Sequence, residues 1–226
     1  MIHLIHKVKG TLQRIVTKLQ KNALYLIERL RDHFNTHPVD NGLVYTNEEE
    51  NIIDQTADLL SNIFSNNPGT VLLQEDFESR CEAIEDFGNG LAQLYQLEDA
   101  GIVITDDNEI FSSEEGVLCF GYATLQSSNK IYINANILRM DDPSMLEHIV
   151  STVIHEMRHL MQRQIASLQN TWGTSYERRH LWRYNIAHYI DSNEDFRAYQ
   201  EQPIEWDARN FTNRVWLKSY QHNIAD

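Results

Sequence analysis

From residue 145 to residue 164 the apolar positions recur at helical spacing. Plotted at 100° per residue, Met145, Leu146, Ile149, Val150, Val153, Ile154, Met157, Leu160 and Met161 cover one broad half of the cylinder. The other half is polar and carries His148, Ser151, Thr152, His155, Arg158, His159 and Gln162. Its start is marked by Asp142-Pro143, or by Ser144 with Glu147 three residues on as a capping box. A helix that is apolar behind and polar in front suits the floor of a cleft. The bland alternative is a solvated face that happens to carry histidines.

Other elements can be read around it. Thr46-Asn47-Glu48-Glu49 is a capping box for a helix running to about residue 64, with Ile52, Ile53, Ala57, Leu60 and Phe64 as its apolar face, and Asn66-Asn67-Pro68-Gly69 ends it. A further helix is expected from about residue 74 to 98, then a short strand at 102–105 and an acidic turn at Asp106-Asp107-Asn108. Residues 116–125 form a nearly continuous apolar run, followed by a turn at 126–129 and alternation over 130–134. This reads as a hairpin leading into the 145–164 helix. At the amino end, Ile5, Val8, Leu12, Ile15, Leu19, Ala23, Leu26 and Leu30 predict a long amphipathic helix with a seam, weakened locally by Gly10.

The polar half of the 145–164 helix carries the candidate chemistry, His155-Glu156-Met157-Arg158-His159. Residues four apart sit about 40° apart around a helix and roughly 6 Å apart along it, so both imidazoles can reach one ion. Glu156, rotated about 100° from His155, is better placed to hold a water beside that ion than to bind it. By average residue usage this pattern arises by chance in about one chain in a hundred of this length, so context must support it.

Zinc needs a third protein ligand, which leaves the fourth position for water or substrate. A metzincin would place Gly and His at the third and sixth positions after the second histidine, where this chain has Gln162 and Ile165. A second helix downstream can supply the ligand instead. In Tyr199-Gln200-Glu201-Gln202-Pro203-Ile204-Glu205-Trp206-Asp207-Ala208, Pro203 suits a first helical position. That puts Glu205 in the first turn, beside an inward stripe of Ile204, Ala208, Phe211 and Val215. Glu201, Asp207, His180 and His188 are the alternative ligands. On a helix Asp207 lies about 160° from Glu205, so both are not expected on the same ion.

With His155-Glu156-x-x-His159-x-x-Gln162 followed by Pro203-x-Glu205-x-Asp207-Ala208, and Tyr199 four residues before the Pro, the chain resembles the zincin metallopeptidases of gluzincin type. The resemblance spans roughly residues 117–211. It implies His155, His159 and Glu205 as zinc ligands and Glu156 as general base and acid. Thermolysin-like members place an acid four residues after the ligand Glu to orient a histidine, whereas Arg209 stands there. The expected activity is peptide-bond hydrolysis, as an endopeptidase rather than an exopeptidase. The tetrahedral oxyanion would need a donor besides the metal; Tyr184, His188, Tyr189 and Tyr199 are candidates, with Tyr199 taken first. The 116–134 hairpin could bind an extended peptide by strand addition, or could simply cover the helix.

The fold expectation is therefore α+β, predominantly α-helical and zincin-like, with a small sheet preceding the motif helix. Residues 1–38 would form the basic amphipathic helix. Residues 39–226 would form the metallopeptidase domain, helical over 39–100 and carrying the sheet and zinc-site helices over 101–226. At 226 residues the chain can bury one sizeable core. Two cysteines, Cys81 and Cys119, are too few for a disulfide framework and are expected buried and reduced.

Charge narrows the partners. Residues 1–34 hold seven Lys or Arg against Glu28 and Asp32, a net of +5, so with −14 overall the remainder carries −19. An acidic body argues against nucleic acid, while a peptide or protein substrate fits. No run has the length of a membrane helix and no export signal is recognisable, so a cytoplasmic location is expected. The basic helix would pack on its own body, where it could cover the cleft, pair with a second copy as a homodimer, or lie on an anionic membrane surface. The alternative to a peptidase is a catalytically silent zinc-binding protein serving as a regulatory or interaction module.

Overall fold

Local capping chemistry sets most helix boundaries. The computed structural model describes residues 45–65, 67–107, 111, 119–123, 129–167, 171–192 and 194–222. The amphipathic helix expected over 1–38, and half of the 116–125 run, lie outside these residues. Helix α1 spans Asn47–Phe64 and has both halves of the anticipated capping box: Glu49 N–H donates to Thr46 Oγ1 and Thr46 N–H to Glu49 Oε2. Ser65, in the left-handed region at φ 46°, ends it. Asn67 then caps a short helix, α2, Pro68–Leu73, which the sequence reading did not separate. Helix α3, Phe77–Leu94, starts three residues later than expected because the Asp76 carboxylate accepts from Ser79 N–H at 2.8 Å.

Strands β1 (Gly101–Thr105), β2 (Gly121–Ala123) and β3 (Lys130–Asn134) form one sheet in the order β1-β3-β2. β1 runs parallel to β3, and β2 antiparallel to it with Tyr122 opposite Tyr132. The hairpin is therefore present in its described part. One turn of helix, α4 (Ala135–Leu138), leads from β3 to α5, Pro143–Ser167. Asp142 opens α5, accepting from Ser144 N–H at 2.9 Å, so the Asp142-Pro143 reading of its start holds. Helices α6 (Tyr176–Ala187), α7 (Phe196–Glu201) and α8 (Pro203–His222) complete the chain. The architecture is α-rich α+β.

Helix α5 is the axis of the fold, packing against α2, α3, α4, α6, α8 and the β2–β3 side of the sheet. Met145, Leu146, Ile149, Val150, Val153, Ile154, Met157, Leu160 and Met161 are all buried, as their periodicity predicts. The stripe of Ile204, Ala208, Phe211 and Val215 on α8 is fully buried as well. Two close approaches require glycine. A Cβ on Gly69 would lie 2.0 Å from Pro143 O, where α2 meets the start of α5. One on Gly121 would lie 2.6 Å from Tyr132 O and 3.1 Å from Thr152 Cγ2, so glycine lets β2 lie directly on α5.

The polar half of α5 departs from expectation. Arg158 and Gln162 are wholly buried and Ser151 nearly so, so this face is not an open cleft floor. Helices α6 and α8 cover it and supply the partners that make its burial possible. Cys81 and Cys119 are free thiols, as expected, but half-buried rather than buried. Among the described residues no helix is long and apolar enough to cross a membrane.

Arg80 on α3 joins the ends of two short helices. Its Nε donates to Leu72 O at 2.8 Å, and its Nη1 to Leu138 O and Met140 O, each at 3.1 Å. These carbonyls lie at or just past helix C-termini, where the regular backbone ladder runs out, although Leu72 O also accepts from Glu75 N–H at 3.1 Å. Arg80→Ala should lower stability by about 2–4 kcal/mol in urea unfolding, because buried acceptors lose their donor. Arg80→Lys, without the planar fork, should recover only part of it.

Candidate metal centre

His155 and His159 lie one turn apart on α5, and Glu205 lies in the first turn of α8, which Pro203 begins. The two helices run antiparallel: Gln162 bonds the carbonyl of Ile204, Arg158 pairs with Asp207, and Trp216 bonds Ser151. This pairing carries Glu205 to the histidines. His155 Nε2 and His159 Nε2 are 3.1 Å apart; Glu205 Oε1 is 3.2 Å from His159 Nε2, and Oε2 is 3.3 Å from His155 Nε2. Among the described residues these three form a group that could hold a metal ion. Of the ligand alternatives, Glu201 is exposed and paired with Arg197, and Asp207 is engaged elsewhere. His180 and His188 are exposed on or beside α6, against Tyr176 and Tyr184 respectively.

Three mutually close ligand atoms can share a cation between them. Burial disfavours charge on His159, but the adjoining Glu205 carboxylate outweighs it and raises the imidazole to about 9. Burial would raise Glu205 too, yet the imidazoles, His159 foremost, hold it well below the usual carboxylate range. Even so, Glu205 Oε2 is buried with no aligned hydrogen-bond donor. An orphaned carboxylate oxygen facing two imidazole nitrogens fits a metal ligand set and is otherwise costly.

Glu156 points to the sheet. Its Oε2 accepts from Ala123 N–H on β2 at 2.8 Å. Asn134 N–H donates to Phe120 O, so alternation along the antiparallel pair turns the backbone groups of Gly121 and Ala123 away from β3, toward the edge that no other strand pairs among the described residues. The carboxylate thus sits at that strand edge beside the His155–His159–Glu205 group. Its pKa is raised chiefly by burial, against the opposing pull of the two imidazoles.

Tyr189 OH donates to Glu205 Oε1 at 2.7 Å, and Tyr199 packs edge-on against Tyr189 at 6.1 Å between ring centroids. Burial and the Glu205 charge push both phenols up, so both remain donors. Tyr199 is therefore beside the ligand trio, as expected, whereas Tyr184 and His188 stack on each other at the surface. Tyr189 was only one of four candidates in the sequence and had no signal of its own. Arg209 is buried and donates to the Gln200 carbonyl at the end of α7 rather than facing a ligand histidine.

Behind the ligands lies a buried ion cluster that the sequence did not reveal. Arg158 Nε donates to Asp207 Oδ2 at 2.8 Å and its Nη2 to Glu49 Oε1 at 3.0 Å. Arg178 Nη2 reaches Glu49 Oε1 at 2.6 Å and Asp207 Oδ1 at 3.4 Å. Two cations meet two anions, so the cluster is neutral. Gln162 links it to the site, its Nε2 donating to Asp207 Oδ2 at 2.7 Å and its Oε1 lying 2.8 Å from His159 Nδ1.

The chain matches no protein-family model, no curated protein and no solved structure.

The 226-residue chain should take up one divalent ion, and saturation at 100 times Kd should stabilise it by about 2.7 kcal/mol, reversed by a chelator. Elemental analysis of His155→Ala, His159→Ala and Glu205→Gln should show that ion lost. Arg158→Ala, which leaves Glu49 and Asp207 uncompensated, should cost about 3–5 kcal/mol in denaturant unfolding.

Proposed function

We propose that the protein is a zinc metallopeptidase of the gluzincin kind, hydrolysing peptide bonds with Glu156 as general base and acid. The observation that carries this reading is the convergence of His155, His159 and Glu205, whose Oε2 has no aligned donor. Zinc held at about 2.0–2.1 Å by tetrahedral nitrogen and oxygen ligands keeps neighbouring ligand atoms roughly 3.3–3.4 Å apart. The separations here are 3.1, 3.2 and 3.3 Å. Three ligands from nitrogen and oxygen, with no fourth among the described residues, favour a catalytic over a closed structural site. His155, His159 and Glu205 would hold the ion. When bound, zinc supplies Lewis acidity, polarising a carbonyl and lowering the pKa of water toward neutrality.

The remaining steps belong to the chain. An extended peptide lies along the outer edge of β2, whose Ala123 N–H is already held by Glu156 and whose Gly121 carbonyl by Cys119, so that it meets the Glu156 carboxylate at that edge. This sets its scissile carbonyl above the trio and beside Glu156. The Glu156 carboxylate takes a proton from the attacking water and returns it to the departing amine nitrogen. Its raised pKa suits it to do both. Tyr199 OH, kept protonated, donates to the oxyanion. Tyr189 holds Glu205 Oε1 and so orients the ligand.

Glu156→Gln should retain zinc and lose about 10²–10⁴-fold in kcat on a quenched peptide library; unchanged turnover would exclude this mechanism, and a silent zinc-binding module would be indifferent to the change. Tyr199→Phe should lower kcat about 10²-fold with a smaller loss of zinc affinity than Tyr189→Phe, which should weaken zinc by about tenfold or more, since Tyr199 also bonds Glu205. Titration calorimetry beside steady-state kinetics separates these two effects.

A further inference from the structure

We propose that Gln162 is a positioning residue for His159 and that the buried ion cluster holds Gln162 in turn, so that metal affinity is set partly from Glu49 at the start of α1. The proposal rests on the metal-site reading above.

The orientation of the Gln162 amide is determined by its neighbours. Its Nε2 lies 2.9 Å from the carbonyl of Ile204 and 2.7 Å from Asp207 Oδ2, and both are acceptors at this contact. The amide nitrogen must therefore face α8, and Oε1 must face His159 Nδ1 at 2.8 Å. An amide oxygen only accepts, so Nδ1 carries a proton. That leaves Nε2, the atom turned toward Glu205 and His155, as the nitrogen with a lone pair for a cation. Gln162 thus selects the ring nitrogen that binds.

Both acceptors that hold Gln162 are held themselves. Ile204 N–H is bound by Asn185 Oδ1 at 3.0 Å at the start of α8. Asp207 is fixed by Arg158 and Arg178, and both arginines end on Glu49 Oε1. Glu49, Arg158, Gln162 and Asp207 are wholly buried, so water cannot replace a lost partner without local opening. A buried chain of hydrogen bonds runs from the α1 capping box to a metal ligand through Glu49, Arg158, Asp207 and Gln162. The last partner is a neutral amide where a carboxylate is the common choice, so the imidazole gains less basicity and the bound cation keeps more of its charge.

The test uses the full chain and zinc. Gln162→Met keeps the length and apolar stem but removes the acceptor and both donors. Competition with a chromophoric chelator should show zinc bound 10–100-fold more weakly, with unchanged far-ultraviolet circular dichroism. In 15N-histidine spectra the hydrogen-bonded Nδ1 proton of His159 should be visible in the wild type and absent in the variant. Glu49→Gln, at the far end, should weaken zinc several-fold with Gln162 intact. Reciprocally, zinc should slow deuterium exchange of the Glu49 amide, because linked equilibria act in both directions. Equal zinc affinity and a retained Nδ1 proton in Gln162→Met would overturn the Gln162 assignment; unaltered affinity in Glu49→Gln would overturn the link to α1. A wild type that binds no zinc would overturn the metal reading itself, an outcome distinct from either.

Discussion

Two arginines and two carboxylates buried together are the constraint around which the helices of the candidate metal site are arranged. Isolated charges of this kind are excluded from protein interiors by their desolvation cost. Arg158, Arg178, Glu49 and Asp207 are tolerated because they sum to zero and bond one another. Each comes from a different helix: α5, α6, α1 and α8. Neutrality therefore requires all four helices to be docked at once. Rings pack around the charges as well, with the Arg158 guanidinium 4.6 Å from the Phe211 ring centroid and 5.3 Å from that of Trp182.

The ligand trio is a consequence of that docking. Arg158 is three residues after His155 and one before His159, and Asp207 is two residues after Glu205. Pairing Arg158 with Asp207 sets the relative axial position of α5 and α8, and Glu205 is then brought between the two imidazoles. The opposite side is set by steric fit, since glycine at 121 allows β2 to approach Thr152 and present its Ala123 amide to Glu156. One face of the motif helix thus borders the outer edge of β2, and the neighbouring face is sealed against ions of its own chain.

Much of this was legible in residue order. Caps and periodicity foretold α1, α5, the start of α8 at Pro203 and the β2–β3 pairing, because each depends on neighbours a few residues apart. Where the reading slipped, a short-range competitor had prevailed: the Asp76 carboxylate started α3 late, and Asn67 began a separate helix at Pro68. The larger miss was the polar half of α5. Arg158 and Gln162 are polar, and polarity ordinarily indicates solvent, but their partners lie at Glu49, Ile204 and Asp207. Nothing local announces that a charge 109 residues away will neutralise Arg158. Tyr189 likewise could not be told from Tyr199, because which phenol reaches Glu205 depends on how the 188–195 segment turns between α6 and α7.

The sequence by itself determined α1, α3, α5 and the start of α8, the apolar faces of α1, α5 and α8, and the candidate ligands His155, His159 and Glu205, since helical geometry converts spacing into direction. Only the tertiary structure decided that Glu205 meets the histidines while Asp207 turns to Arg158 and Gln162. Only it decided that Glu156 faces a strand edge and that the motif helix is anchored by buried charge. The physical reason is range: capping and periodicity act within a turn or two, whereas charge compensation and close packing act across space between residues far apart in the chain.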